Sequence, residues 1–204
     1  MTAPESHPKP RWSVALPFYN EAAFLPRTLA SLIGQDLRPL RLILVDNASS
    51  DGSAAVARAA LQDCIGIDAV HVHEPRPGKV HALERALDLV DTGLVALCDA
   101  DTYYPPHYLN LCDAIFRQSP ADIVAVMALD VYGDPGSLTS RIRRQFKLCA
   151  AVVLSRQAHT GGFGQTFRTA ALRRAGGLSE GRWPYVLLDH ELMHRILKIG
   201  RSVS

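Results

Sequence analysis

Gly93-Leu94-Val95-Ala96-Leu97-Cys98-Asp99-Ala100-Asp101 is the stretch that decides the fold. Its apolar run, Leu94 to Cys98, is continuous. A strand with one wet face would alternate; an unbroken run suits a parallel strand covered by helices on both sides. The run ends in two carboxylates two residues apart, which in extended chain project to the same side. Held together they repel, and each raises the pKa of the other unless a cation intervenes. Mg²⁺ or Mn²⁺ takes one or two protein carboxylates and completes its shell with water and substrate phosphate. Asp99 and Asp101 therefore suit a phosphate-bearing ligand. They also suit plain turn capping after a strand, and Asp-x-Asp alone does not separate the two readings.

The segments around this stretch repeat its pattern. Trp12 to Pro17 reads as a first strand, with Pro17 stopping the ladder and Asn20 free to cap the next helix. That helix carries Leu25, Leu29, Leu32 and Ile33 on one face, and Pro26 belongs in its first turn. Leu40 to Val45 is a second apolar strand, closed by the turn-rich Asp46-Asn47-Ala48-Ser49-Ser50-Asp51-Gly52-Ser53, and a helix continues to about Gln62. Ala69 to His73 is a third strand, the loop Glu74 to Lys79 comes next, and Val80 to Val90 is a helix. After the Leu94 strand come a helix from about His107 to Arg117 and a strand from Ile123 to Leu129.

Strands alternating with helices at this spacing predict right-handed crossover units and an α/β, mostly parallel, doubly wound sheet. Ligands of such sheets bind beyond the carboxyl ends of the strands. Tyr19-Asn20-Glu21, Asp46-Asn47 and Asp99-Ala100-Asp101 each come directly after a strand at that end. Their expected convergence favours a binding site over turn capping.

The second half is less regular. Leu138 to Ser155 reads as a helix with a basic cluster, Arg141, Arg143, Arg144 and Lys147, near its start. Such a helix suits packing on the domain better than a membrane surface. Thr160-Gly161-Gly162-Phe163-Gly164 is a glycine-rich loop of the kind that lets backbone approach a ligand. Thr169 to Ala175 is a short helix ended by Gly176-Gly177, and Leu187 to Ile199 is a last helix with Asp189 and Glu191 in its first turn. Gly200 to Ser204 looks like the start of a further strand, as in a chain cut from a longer one.

Composition narrows the function classes. The 204 residues suit one large domain, and 48% hydrophobic with 21% charged residues is globular composition. A net charge of +2 does not argue for nucleic acid. Cys64, Cys98, Cys112 and Cys149 have no C-x-x-C spacing and read as reduced core thiols of a cytoplasmic protein. Residues 1–10 are polar and proline-rich and read as a disordered tail, and no run approaches the roughly 18 apolar residues a bilayer span needs. Membrane contact, if any, is expected to be peripheral, at the inner face. No G-x-G-x-x-G comes after the first strand, which disfavours a dinucleotide-binding oxidoreductase.

Four pieces in order resemble the family 2 inverting glycosyltransferases of GT-A fold. Pro17-Phe18-Tyr19-Asn20-Glu21 resembles the family's P-x-Y-N-E segment, and Val45 to Ser53 its D-x-S-x-D-G-S/T turn. Asp99-Ala100-Asp101 resembles its D-x-D metal motif, and Leu188-Asp189-His190-Glu191-Leu192-Met193-His194-Arg195 its acceptor-side E-D-x-x-L-x-x-R helix start, with Leu188 where the family often has Glu. The resemblance runs from about Trp12 to the chain end. It implies one GT-A domain over 11–204, with a nucleotide-sugar half at about 11–129 and an acceptor half at about 130–204.

By the same resemblance, Pro17, Tyr19, Glu21, Asp46, Lys79, Asp99, Ala100 and Asp101 would bind the nucleotide-sugar. Asp101 and Asp99 would hold Mn²⁺ or Mg²⁺, and Asp189 would be the general base. Gly161, Gly162, His159, His190, Glu191 and Arg195 would line the acceptor and sugar pocket. The implied partners are a nucleotide-diphosphate sugar, UDP-type by likeness, and a sugar or lipid-linked acceptor, as in bacterial polysaccharide or glycoconjugate biosynthesis. A nucleotide-sugar-binding module without transfer remains an alternative. So does a nucleotidyltransferase, although Tyr19-Asn20-Glu21 stands where such an enzyme would carry a glycine-rich phosphate loop. His73, His81 and His107 read as surface or packing residues, and His190 with His194, at i and i+4, as mainly structural.

Overall fold

The computed structural model describes residues 10–38, 40–128, 139, 142, 164–178 and 188–203; the side chains at 63 and 188–190 lie outside that set. The elements in chain order are β1 (Trp12–Phe18), α1 (Leu25–Ile33), β2 (Leu40–Asp46), α2 (Ser53–Ala60) with a 3₁₀ turn (Leu61–Asp63), β3 (Ile67–His73), α3 (Lys79–Asp88) and β4 (Leu94–Leu97). They continue with α4 (Tyr108–Gln118), β5 (Ile123–Met127), β6 (Gln165–Arg168), α5 (Thr169–Arg174), α6 (Leu188–Ile196) and β7 (Arg201–Val203). The expected helix over Leu138 to Ser155, the Thr160 to Phe163 part of the glycine loop, and the tail over residues 1–9 lie outside the described residues.

The described strands form one seven-stranded sheet in the order β3-β2-β1-β4-β6-β5-β7. β1 pairs in parallel with β2 along its whole length and with β4 from Trp12 to Ala15. β2 pairs in parallel with β3, and β5 with β7. The chain thus winds outward from β1 to β3 and then returns to the other flank of β1. That reversal makes the topological switch point at which such sheets bind ligands.

The continuous apolar runs serve two cores, one on each face. Trp12, Val14, Leu16, Leu42, Leu44 and Ala96 pack with Leu29 of α1, Ala57 of α2 and Phe116 of α4. The intervening residues Ala15, Ile43, Val45 and Val95 pack on the opposite face with Leu83 of α3, Leu172 of α5 and Ile196 of α6. Successive strand residues point to opposite faces, so a strand buried on both is apolar at nearly every position; Ser13, the polar exception in β1, accepts from the Thr92 hydroxyl.

Three sequence expectations change. Pro17 does not end β1: it pairs in register with Val45, and Phe18 with Asp46. Ala15 O accepts from Cys98 N–H and Phe18 O from Asn47 N–H, so Pro17, in step with Ala15, turns its missing donor toward β4. The β4 register has already ended at Ala15, so no ladder bond is lost. Asn20 does not cap α1; Phe24 occupies the N-cap, without a side-chain cap, and Pro26 takes the first turn. The third change is β6, which was not anticipated: Gln165–Arg168 inserts antiparallel between β4 and β5. Its four residues carry no long apolar run; Arg168 instead donates to Ile123 O (2.8 Å) and Phe116 O (3.0 Å).

A buried polar knot ties β1 to α4. Trp12 Nε1 donates to Asp113 Oδ1 at 2.9 Å, and Arg117 Nε lies 2.5 Å from Asp113 Oδ2. Asp113→Ala is expected to leave the indole N–H buried and unsatisfied and to destabilise the fold by about 1–3 kcal/mol, measured by urea unfolding.

Candidate functional site

Left-handed backbone opens the site. Asn20 (φ +54°) and Ala48 (φ +58°) are the described non-glycine residues with positive φ. Each lies just past a strand of the β1–β2 pair, and such conformations persist only where surrounding bonds determine them. Here those bonds join the two loops. Asn20 Oδ1 accepts from Ser50 N–H at 2.8 Å, and Asn20 N–H donates to Ser49 Oγ at 3.1 Å. Glu21 N–H donates to Ser53 Oγ at 2.8 Å, and Ala22 N–H to Asp51 Oδ2 at 3.1 Å. The serines and Asp51 of the second turn thus brace the first, and present Tyr19 and Glu21 at the rim.

Asn47 does the same for the third loop. It is 4% exposed. Its amide donates to Glu74 O (3.3 Å) and Arg76 O (2.7 Å), and its Oδ1 accepts from Gly78 N–H (2.8 Å). Gly78, at φ +125°, takes a backbone that only glycine adopts readily, and α3 begins at the next residue. The first turn of α3 holds no acidic residue, so its positive dipole end, with Lys79, favours an anion. Glu74, bonded through its side chain to Arg76, is held down at about 2.

These loops and the turn after β4 enclose a cleft of about 670 Å³. Of the residues anticipated from sequence, Pro17, Tyr19, Glu21, Lys79, Asp99, Ala100 and Asp101 line it. Tyr19 is 57% exposed, its ring open to a ligand. Lys79 Nζ donates to Asp99 Oδ1 at 2.5 Å. Burial, then the charges of Asp101, Asp51 and Asp99, raise the Glu21 carboxyl above its ordinary value. A bound cation would relieve that crowding. Among the described residues no group of three or more His, Cys, Asp or Glu forms a closed metal cage. The donor set instead fits a divalent cation that shares its shell with phosphate oxygens.

Of the remaining anticipated residues, Asp46, Glu191 and Arg195 are seen in other contacts. Asp46 is buried and is not among the residues that line the cleft, its Oδ1 accepting from Ser49 N–H (3.0 Å) and its Oδ2 lying 3.2 Å from His73 Nδ1. Burial pushes its carboxyl up, but the Ser49 and His73 contacts outweigh that and leave it lowered. Glu191 and Arg195 pair with each other at 2.7 Å, and Arg195 also donates to Ala175 O at 2.6 Å, fastening α6 to the end of α5. Asp189 and His190 lie in the first turn of α6, with side chains outside the described set. His159, Gly161 and Gly162 lie outside the described residues. Asn47, Phe18, Pro77 and Gly78 also line the cleft. Asn47 stands beside Asp46 in the same post-strand cluster, but spacing alone did not say which of the two faces inward.

The Glu21 shift has a consequence for stability. A carboxyl raised from its ordinary 4.5 loses folding stability as pH climbs above about 4.5 through its folded-state value. Asp101→Asn removes one of the repelling charges. In chelator at pH 7 it is expected to melt about 1–2 °C above the unsubstituted protein, with the difference closing near pH 4, monitored by circular dichroism.

A family model described as Glycosyl transferase family 2 matches residues 13–176. An uncharacterised protein of Mycobacterium tuberculosis is 32% identical over 109 residues, 53% of this chain and 33% of that protein. Among solved structures, the mannosyltransferase PcManGT from Pyrobaculum calidifontis, in complex with GDP-Man and Mn²⁺, superposes with a TM-score of 0.75 at 24% identity, covering 99% of this chain and 56% of its own. Staphylococcus aureus TarS (1–349) with UDP superposes at 0.68 and 19% identity, covering 95% of this chain and 57% of its own. The chain spans about a third of the curated relative's length and just over half of each solved chain. At these identities the superpositions establish the GT-A fold.

Proposed function

The chain belongs to glycosyl transferase family 2, and from that premise we propose that it moves a sugar from a nucleoside-diphosphate sugar to an acceptor hydroxyl, with a divalent cation and with inversion. The observation that carries this reading is the meeting of Tyr19, Glu21, Lys79, Asp99 and Asp101 in one cleft at the switch point of the sheet. An exposed ring, carboxylates for ribose and cation, and a lysine at a helix start for phosphate are the parts a nucleoside diphosphate requires.

Tyr19 would offer its face to the base, and Glu21, with Asp46 behind it, would accept from base or ribose. Lys79 and the start of α3 would take diphosphate charge. Asp101 and Asp99 would hold Mn²⁺ or Mg²⁺. When bound, the cation supplies Lewis-acid stabilisation of the departing diphosphate, worth about several kcal/mol. Until then Lys79 neutralises Asp99. PcManGT was solved with GDP-Man and TarS with UDP, so both guanosine and uridine donors belong in a test, with UDP sugars first by family likeness.

A hydroxyl is a weak nucleophile at neutral pH. Asp189, in the first turn of α6, would take its proton as the new bond to the anomeric carbon forms. The sugar–phosphate bond breaks on the opposite face and its electron pair leaves on the diphosphate. One displacement with one base inverts the configuration. His159, Gly161, Gly162, His190, Glu191 and Arg195 would line the acceptor side. The acceptor would be a sugar or a lipid-linked sugar, met at the inner membrane face through peripheral contact; no helix among the described residues is long and apolar enough to cross a membrane.

Nucleotide release by the full-length protein from UDP- and GDP-sugars, with Mn²⁺ and hydroxyl acceptors, tests this. Asp189→Asn is expected to keep nucleotide affinity and lose about 10²–10⁴-fold in turnover. Asp101→Ala is expected to lose the Mn²⁺-dependent rise in melting temperature that UDP or GDP produces. Unchanged turnover in both variants overturns the assignment. Metal-dependent nucleotide binding with no turnover on any acceptor identifies a binding module instead.

A further inference from the structure

The side of α1 that faces the protein is not uniformly apolar. Thr28, Ser31 and Gln35, the last just past the helix end, are 2%, 8% and 2% exposed. Buried polar side chains are costly unless satisfied, so their partners are informative. Much of their bonding goes to one segment, Ala100 to Leu109. Thr28 Oγ1 donates to Ala100 O at 2.7 Å, and Ser31 Oγ accepts from Tyr104 N–H at 3.1 Å. Gln35 Nε2 donates to Tyr104 O (3.3 Å) and Pro105 O (2.8 Å), while its Oε1 accepts from Leu109 N–H (3.0 Å). Tyr104, 3% exposed, closes the circuit by accepting from Asp99 N–H at its phenol oxygen, 2.8 Å away.

The Asp99-Ala100-Asp101 turn belongs to no helix or strand. The Asp99 N–H and the Ala100 C=O, the backbone groups beside the two carboxylates, are nonetheless both held by buried side chains outside the cleft. Proline at 105 and 106 brings no N–H with which that segment could hold itself. We propose that Thr28, Ser31, Gln35 and Tyr104 are positioning residues for the cation site alone, setting where the Asp99 and Asp101 carboxylates stand and hence the affinity for the metal. The inference rests on the nucleoside-diphosphate reading of the cleft. Groups that orient ligating carboxylates without touching the ion typically alter metal affinity 10–100-fold.

The test is Mn²⁺ titration of the full-length protein, read by electron paramagnetic resonance with saturating UDP and, separately, GDP. Thr28→Val keeps shape and loses the donor; Thr28→Ser keeps the donor. Tyr104→Phe removes the acceptor for Asp99 N–H and carries the same comparison should Thr28→Val not fold. Thr28→Val and Tyr104→Phe are expected to weaken Mn²⁺ binding about 10-fold, and Thr28→Ser less than about 2-fold, with nucleotide affinity in chelator unchanged in all three. Variants that melt lower but bind Mn²⁺ like the unsubstituted protein assign these contacts to folding alone and overturn the inference. An unsubstituted protein that takes up no Mn²⁺ with either nucleotide overturns the reading of the cleft as well.

Discussion

Parallel pairing of β1 on both flanks is the constraint on which the rest depends. All seven of its residues are buried, and β2 and β4 run beside it in the same direction. Three chain segments therefore leave the sheet at one rim. β4 departs earliest, which opens the space that the polar turns then line. Helices on both faces bury the central strands, so these are mostly apolar, with buried Ser13 paired to Thr92, and chemistry is confined to the residues just beyond them.

Leaving a parallel sheet costs each segment its ladder partners, and short loops cannot all form regular turns. Here side chains of one loop bond the backbone of the next. Asn20 accepts from the second turn, Ser49 and Ser53 accept from the first, and Asn47 reaches the third. The left-handed backbone at Asn20 and Ala48 is held inside that mesh. The turn after β4 is fixed from the other side, by the polar groups of α1 and by Tyr104. Rigidity of this kind lets like charges be held together: Glu21, Asp99 and Asp101 stay in one cleft although burial and the aspartate charges raise the cost of ionising Glu21.

Much of this was legible in the residues. The apolar segment Leu40 to Val45, interrupted only at Arg41, and the unbroken run Leu94 to Cys98 marked strands buried on both faces, and the polar clusters after them marked the rim. Seven of the residues anticipated for the nucleotide side line the cleft together. Pro17 misled, because a proline ends a ladder only where its missing N–H faces a neighbour, and here β4 has already left that flank. β6 was missed because four residues with a charged end resemble a loop until β4 and β5 offer them both edges. Asn20 looked like a helix cap, yet its carbonyl oxygen serves a turn thirty positions away.

By itself, the sequence determined the layer architecture, the order of the parallel units, the end of the sheet that carries chemistry, and the carboxylate pair at its centre. These stem from local periodicity and from which residue types tolerate burial. Tertiary structure alone decided that Asn47 rather than Asp46 lines the cleft, that β6 runs against its neighbours, and that Thr28, Ser31 and Gln35 hold the segment from Ala100 to Leu109. Each of those outcomes is a hydrogen bond or a strand edge shared between segments 25 or more residues apart. Partners so distant leave no periodic trace in the chain, because the bond exists only once the sheet has brought them side by side.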